Sequence, residues 1–296
     1  MKGRLVSIDH LADLEAAWNE HLSQGQYSEQ FVNDYLGYPQ FSPPPELPEA
    51  RTIAVMAAPR PQTRVTFHWE GNAYRLTLPP TYGDYRLVRE KVEALLGETF
   101  GAKGYRFTRA TLPVKRLAVH SGLAEYGRNN ITYVEGMGSF LRLSAYYTDY
   151  PAEADSWADV RMMEACQTCS ACRKACPTGA IREDRFLLQA DRCLTYMNEF
   201  GRDFPDWLDP RHHNALYGCM LCQRKCPQNR AVVGWFEERC EFSETETDMI
   251  LKGVPVADMP EAMQEKFDAL EWAEAMDTLP RNLRVLLEKE AVLGGV

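Results

Sequence analysis

Nowhere does this 296-residue sequence hold the run of roughly 18 apolar residues that a membrane span needs. Its first residues, Met1-Lys2-Gly3-Arg4, lead into no apolar stretch of the kind that opens a secretory leader. The expectation is a soluble, cytoplasmic protein without a membrane partner. Positive charge is also scarce: 33 Lys and Arg stand against 42 Asp and Glu, for a formal net charge of −9. Nucleic-acid binders draw on a basic patch or stripe, so no global pull toward nucleic acid is expected. Apolar mass is not lacking. At 45% hydrophobic content the chain can bury a sizeable core, divided into two or three compact units.

What is present in quantity is cysteine with meaningful spacing. Eight of the nine cysteines fall into two sets, Cys166-x2-Cys169-x2-Cys172-x3-Cys176-Pro177 and Cys193 followed by Cys219-x2-Cys222-x3-Cys226-Pro227. The first is the bacterial ferredoxin run for a [4Fe–4S] cluster, whose fourth cysteine serves the other cluster of a pair. Three thiolates on a tight loop wrap three corners of a cubane, and the fourth comes from distant sequence. A cysteine before proline suits the remote role, because proline lacks an N–H and pushes the preceding residue into an extended conformation. The crossed assignment gives Cys166, Cys169, Cys172 and Cys226 to one cluster. Cys176, Cys193, Cys219 and Cys222 then hold the other, with Cys193 supplying a missing corner from 26 residues upstream of Cys219. Paired CxxC units also describe zinc sites, but a CxxCxxCxxxCP run crowds four thiolates more closely than two zinc knuckles need. Disulfides are not expected in a reducing compartment.

Cys240, set among acidic neighbours in Glu237-Glu238-Arg239-Cys240-Glu241, reads as a spare half-buried thiol rather than a ligand. Arg173-Lys174 and Arg224-Lys225 lie inside the cysteine loops and read as charge compensation for anionic clusters. His212-His213 resembles a metal pair superficially and reads as a solvated turn.

The fold class expected is α+β: an N-terminal α/β domain over residues 1–155, a ferredoxin-like double [4Fe–4S] domain over 156–240 and a short helical tail over 241–296. Apolar spacing at Leu11, Leu14, Trp18 and Leu22 predicts one or two helices within residues 8–36, and consecutive prolines make 41–48 a loop. Strands are predicted at 52–57, 64–69 and 74–78, the last two joined as a hairpin through Glu70-Gly71-Asn72. Helices follow at 83–97 and 113–123, and a strand at 139–147. In the acidic tail the clearest helical segments are 263–276 and 279–293.

Over residues 113–230 the chain resembles the epoxyqueuosine reductase family, itself related to reductive dehalogenases. The resemblance is carried by Gly122-Leu123-Ala124-Glu125-Tyr126-Gly127-Arg128-Asn129, Gly138-Ser139-Phe140, Thr148-Asp149, Asp191-Arg192-Cys193 and Tyr217-Gly218-Cys219 in that order. It implies a corrinoid, cobalamin, reduced through the two clusters, with Gly122, Gly127 and Gly138 allowing close approach and Arg128, Asn129 and Ser139 binding its amide and phosphate groups. It also supports the crossed ligand sets. Two departures stand out. Ala110 occupies the place of the family's acidic proton donor, and the chain has no room for that family's helical-repeat extension, so reduction of a base in tRNA is not expected. Tyr126 is the first alternative acid, followed by His120, Tyr146 and Asp149. The functional expectation is a reductase passing electrons from an external donor such as a ferredoxin or flavodoxin, through two clusters, to a corrinoid or small-molecule substrate in the α/β domain. The alternative is a non-catalytic dicluster carrier serving a partner enzyme.

Overall fold

The computed structural model describes residues 1–272 and 275–294. In chain order the elements are β1 (Lys2–Ser7), α1 (Leu11–Ser23), α2 (Glu29–Tyr35), β2 (Thr52–Pro59), β3 (Gln62–Trp69), β4 (Asn72–Leu78), α3 (Tyr85–Thr99), β5 (Phe107–Ala110), α4 (Val114–His120), β6 (Glu125–Tyr126), β7 (Thr132–Tyr133), β8 (Leu141–Thr148), α5 (Ala171–Ala175), α6 (Leu194–Glu199), α7 (Leu221–Arg224), β9 (Phe236–Phe242), α8 (Glu244–Leu251), α9 (Glu261–Leu270) and α10 (Leu279–Gly294).

The first sheet is antiparallel in the order β1-β2-β8-β5. Its central strand β2 is apolar on both faces because helices cover both. Alternate side chains go opposite ways along a strand. Ile53 and Val55 therefore join Leu14, Leu117 and Tyr147 on the α4 side, while Ala54 and Met56 join Val88, Val92, Leu96 and Tyr146 under α3.

The hairpin β3–β4 turns at Glu70 and Gly71, whose φ angles of 49° and 75° give the left-handed pair that matches strand twist. It pairs not with the first sheet but with β9, which runs parallel to β3. Val65, Phe67, Leu76 and Leu78 pack with Phe242, Met263, Phe267, Leu283 and Leu287 into one core. The boundaries expected at residues 155 and 240 thus divide the sequence but not the packing. Part of the N-terminal segment and the described part of the tail share this core. Asp84 fastens the two parts, its carboxylate buried between Arg60 and Arg239, the latter at 2.7 Å.

Differences from expectation have local causes. The predicted 113–123 helix is Val114–His120, closed by Gly122 at φ 67°. The strand placed at 139–147 starts at Leu141, because Gly138 at φ 57° belongs to the preceding turn. The helix expected to end near Gly97 continues to Thr99. α9 stops at Leu270, with Glu271 left-handed, so the helix expected over 263–276 is shorter; its residues 273 and 274 lie outside the described residues, as do 295 and 296 of the expected tail.

Candidate metal centre

Both cysteine loops are short helical turns that end in extended residues. Cys176 leaves α5 at φ −79°, ψ 107°, and Cys226 leaves α7's segment at φ −74°, ψ 123°, each just before its proline. Cys193 is likewise extended, at φ −73°, ψ 124°, ahead of α6. Extended backbone throws these thiols away from their own loops.

All nine cysteines are free. The eight loop thiols separate by mutual influence into two quartets. Cys166 and Cys172 feel Cys169 and Cys226, whereas Cys219 and Cys222 feel Cys176 and Cys193. Burial pushes the Cys166, Cys172 and Cys222 thiols up, and Cys219 up to about 11, with neighbouring thiols adding to each. Buried sulfurs packed this way are poor thiolates by themselves. Bound to iron they are deprotonated and part of their charge is offset by the metal, so the donor chemistry fits two clusters. Among the described residues no group of His, Cys, Asp or Glu is arranged to hold a single metal ion. Four sulfurs around one zinc would stand about 4 Å apart, given a Zn–S length of about 2.3 Å, and a cubane keeps its thiolates wider.

The residues expected to contact a corrinoid lie between the cysteine loops and the α/β part. Arg128 is a clamp: Nε donates to the carbonyls of Cys166 (3.1 Å) and Cys169 (3.0 Å), and a terminal nitrogen to those of Cys166 (2.5 Å) and Gln167 (3.2 Å). Asn129 donates to the Tyr133 hydroxyl at 3.0 Å and lies close enough to Cys222 to favour its thiolate. Ser139 is held through both its N–H and hydroxyl, the first donating to Asn229 Oδ1 and the second to Gln223 Oε1, each at 2.8 Å. A Cβ on Gly138 would stand 2.3 Å from Asn229 Oδ1, and one on Gly127 2.6 Å from both Asn129 and Tyr133. Gly122 serves as a helix cap. Five of the six are therefore engaged in holding cysteine loops or packed against residues that do, and these contacts lend no support to the corrinoid-binding role expected of them.

Other supporting residues carry no spacing signal. Asn214 Nδ2 donates to Cys219 Sγ at 3.3 Å while its Oδ1 takes the Met220 N–H. Asn282 of α10 donates to the carbonyls of Asn198 and Leu216 at 2.8 and 2.9 Å, and Lys289 to that of His213 at 2.7 Å. The tail is thus a brace for the segment between Cys193 and Cys219. An asparagine near a cysteine was the available hint.

The candidate acids are dispersed. Tyr126 is buried on β6 with its ring edge-on to Phe186 at 5.3 Å, and burial pushes its hydroxyl up. His120 stacks on Trp157 at 4.2 Å and bonds the Ala158 carbonyl. Tyr146 lies under α3, and Asp149 accepts the Arg106 N–H at 2.8 Å. Ala110 points into the core beside Leu112 and Leu117. His213 is not in a solvated turn: it is buried against Phe204, and burial, with Arg281 and Lys289 nearby, holds it down at about 4. Cys240 is half-buried on β9, away from both quartets, its thiol raised by burial. Arg173 pairs with Glu183, whereas Arg224, half-buried at 3.3 Å from Gln62, is within reach of Cys219.

Comparison with known proteins agrees with this geometry. Residues 165–229 match the 4Fe-4S double cluster binding domain. Epoxyqueuosine reductase of Pseudomonas aeruginosa is 32% identical over 118 residues, 38% of this chain and 32% of that one. The chain therefore spans about a third of the length of such curated relatives. The solved epoxyqueuosine reductase of Streptococcus thermophilus superposes with a TM-score of 0.66 over 97% of this chain and 77% of that one, at 20% identity. An epoxyqueuosine reductase solved with an epoxyqueuosine-modified tRNA-Tyr stem loop gives 0.65 over the same shares, at 24% identity. The chain thus carries a 4Fe-4S double cluster binding domain within a mixed α/β fold like that of the solved epoxyqueuosine reductases.

Proposed function

We propose that the protein is an iron–sulfur reductase in which electrons enter from an external carrier such as a ferredoxin or flavodoxin and leave to a small-molecule acceptor held beside Cys193. The observation that supports it best is the partition of eight thiols into two quartets, each borrowing the Cys-Pro cysteine of the other's loop. On this reading Cys166, Cys169, Cys172 and Cys226 hold one cluster, and Cys176, Cys193, Cys219 and Cys222 the other. When bound, the clusters supply one-electron transfer at potentials tuned by burial and by hydrogen bonds to sulfur.

The chain's own residues define a direction. Gln167 and Thr168 of the first loop are exposed, which suits docking of a donor. The second quartet faces the α/β part, where Lys115 of α4 and Tyr35 of α2 come within electrostatic reach of Cys193. Lys115 is open to solvent yet so ringed by protein that burial lowers its pKa, and among the described residues its Nζ has only the Asn130 carbonyl at 3.5 Å. The Tyr35 hydroxyl is buried without a hydrogen-bond partner among the described residues. A cation and a free hydroxyl next to the last electron carrier favour an acceptor that gains negative charge on reduction. This reading does not require a corrinoid, since the residues expected to hold one already have protein partners.

Anaerobic purification with iron and sulfide analysis, followed by cobalamin titration of the dithionite-reduced protein, tests this reading. About eight irons per chain are expected. A content of about four would overturn the two-cluster assignment. Uptake and reduction of cobalamin would reinstate the corrinoid, and one-electron exchange with carrier proteins but with no small-molecule oxidant would favour the dicluster carrier.

A further inference from the structure

On the face of the first sheet opposite α4, a cavity of about 310 Å³ opens between the first turn of α3, strands β5 and β8, and the turn after α9. Strand alternation places Arg142, Ser144 and Tyr146 of β8 on its floor, and Arg109 stands opposite Tyr146 in the ladder. Arg86 and Arg89, three residues apart on α3, close it from above. Four guanidiniums thus line one small cavity.

Two of them already have partners. Arg86 pairs with Asp268 at 3.1 Å, and Arg142 lies 3.4 Å over the Tyr85 ring while donating to the Thr81 carbonyl. The lining carboxylate, Glu271, is also occupied, since its oxygens take the N–H groups of Tyr85 and Arg86 at 2.6 and 2.8 Å. Arg89 and Arg109 differ. Neither has an ion pair or side-chain hydrogen bond among the described residues, yet both lie close enough to act on the Tyr146 hydroxyl, which is next to Ser144. Glu93, one turn along α3 from Arg89, also reaches that hydroxyl and offsets part of the positive charge.

We propose that this cavity binds a small phosphorylated molecule, its phosphoryl oxygens gripped by Arg89 and Arg109 and by the hydroxyls of Ser144 and Tyr146. Planar guanidiniums match the geometry of phosphate oxygens two at a time, which a lysine cannot do. The volume is at the small end of ligand cavities, so it takes a terminal phosphate and a compact body rather than a continuous nucleic-acid backbone. The sheet separates this site from α4 and the cysteine loops, so its occupant is distinct from the electron acceptor.

Calorimetric titration of the cluster-loaded protein with inorganic pyrophosphate, and in parallel with inorganic phosphate, tests the site. Saturable one-to-one binding is expected, weakened by at least about tenfold in Arg89→Ala and in Arg109→Ala, since each removes a charged hydrogen-bond donor. Both residues are exposed, so iron content and melting temperature should stay at wild-type values. An absence of binding at millimolar pyrophosphate, or binding equally strong in the double variant, would overturn the proposal. So would an RNA stem loop whose binding both substitutions weaken while pyrophosphate fails to compete.

Discussion

Arg128→Ala is the substitution that best separates a loop clamp from a ligand-binding arginine. Arg128 makes four contacts with three carbonyls of the first cysteine loop, at 2.5–3.2 Å. A hydrogen bond from a charged donor contributes about 1.5–3 kcal/mol, but bonds from one fork are not additive, and water reaches part of this side chain. A loss of about 3 kcal/mol in local loop stability is therefore expected, equivalent to about a hundredfold higher population of the opened loop. Challenging the anaerobic protein with an iron chelator reads that population. Iron release should become biphasic, with about half the iron leaving about a hundredfold faster than in wild type, and Arg128→Lys should fall between, since it keeps charge but not the fork. Unchanged iron release together with weakened cobalamin uptake would refute the clamp and return Arg128 to a corrinoid contact.

Cys193→Ala should leave about four irons per chain, while Cys240→Ala keeps about eight; the reverse pattern by iron analysis would make Cys240 the ligand. Gly138→Ala combines a left-handed φ of 57° with a Cβ 2.3 Å from Asn229 Oδ1, and should cost about 3 kcal/mol. Gly122→Ala, at φ 67° with open space around it, should cost only about 1 kcal/mol; equal drops in melting temperature would disprove the steric argument. Glu199, in contact with the Tyr82 hydroxyl, is pushed by burial from 4.5 up to about 8. The folded protein then keeps a proton that the unfolded chain releases, so this stabilisation is full below pH 4.5 and is lost as pH rises through about 8. Over that range it amounts to about 3 kcal/mol once residual solvent access is allowed for. Glu199→Gln should flatten the fall in melting temperature between pH 5 and 9, and an unchanged slope would exclude Glu199 as its source.

Much of the cluster site could be read before any coordinates. Three of the four sulfurs in the first quartet lie within one short loop, and the extended Cys-Pro geometry that carries the fourth follows from proline itself. The hairpin at Glu70-Gly71 and the buried strand β2 were legible for the same reason, because turn chemistry and apolar runs act over a few residues. The roles of Arg128, Asn129 and Ser139 were not. Each residue type suits a ligand contact as well as a backbone carbonyl or a neighbouring amide, and only the approach of loops 38 to 90 residues away decides between them. Strand β9 hid in a charged segment, Phe236-Glu237-Glu238-Arg239-Cys240-Glu241-Phe242, whose place beside β3 depends on a partner more than 160 residues earlier.

By itself, then, the sequence determined the double [4Fe–4S] cluster motif, from which the crossed ligand sets are proposed, since ligand spacing is a local property of the chain. Tertiary structure decided what surrounds them: a tail that braces the second loop, an arginine that clamps the first, and a four-arginine cavity across the sheet. Those depend on side chains distant in sequence meeting through sheet pairing and core packing, and no local pattern encodes such meetings.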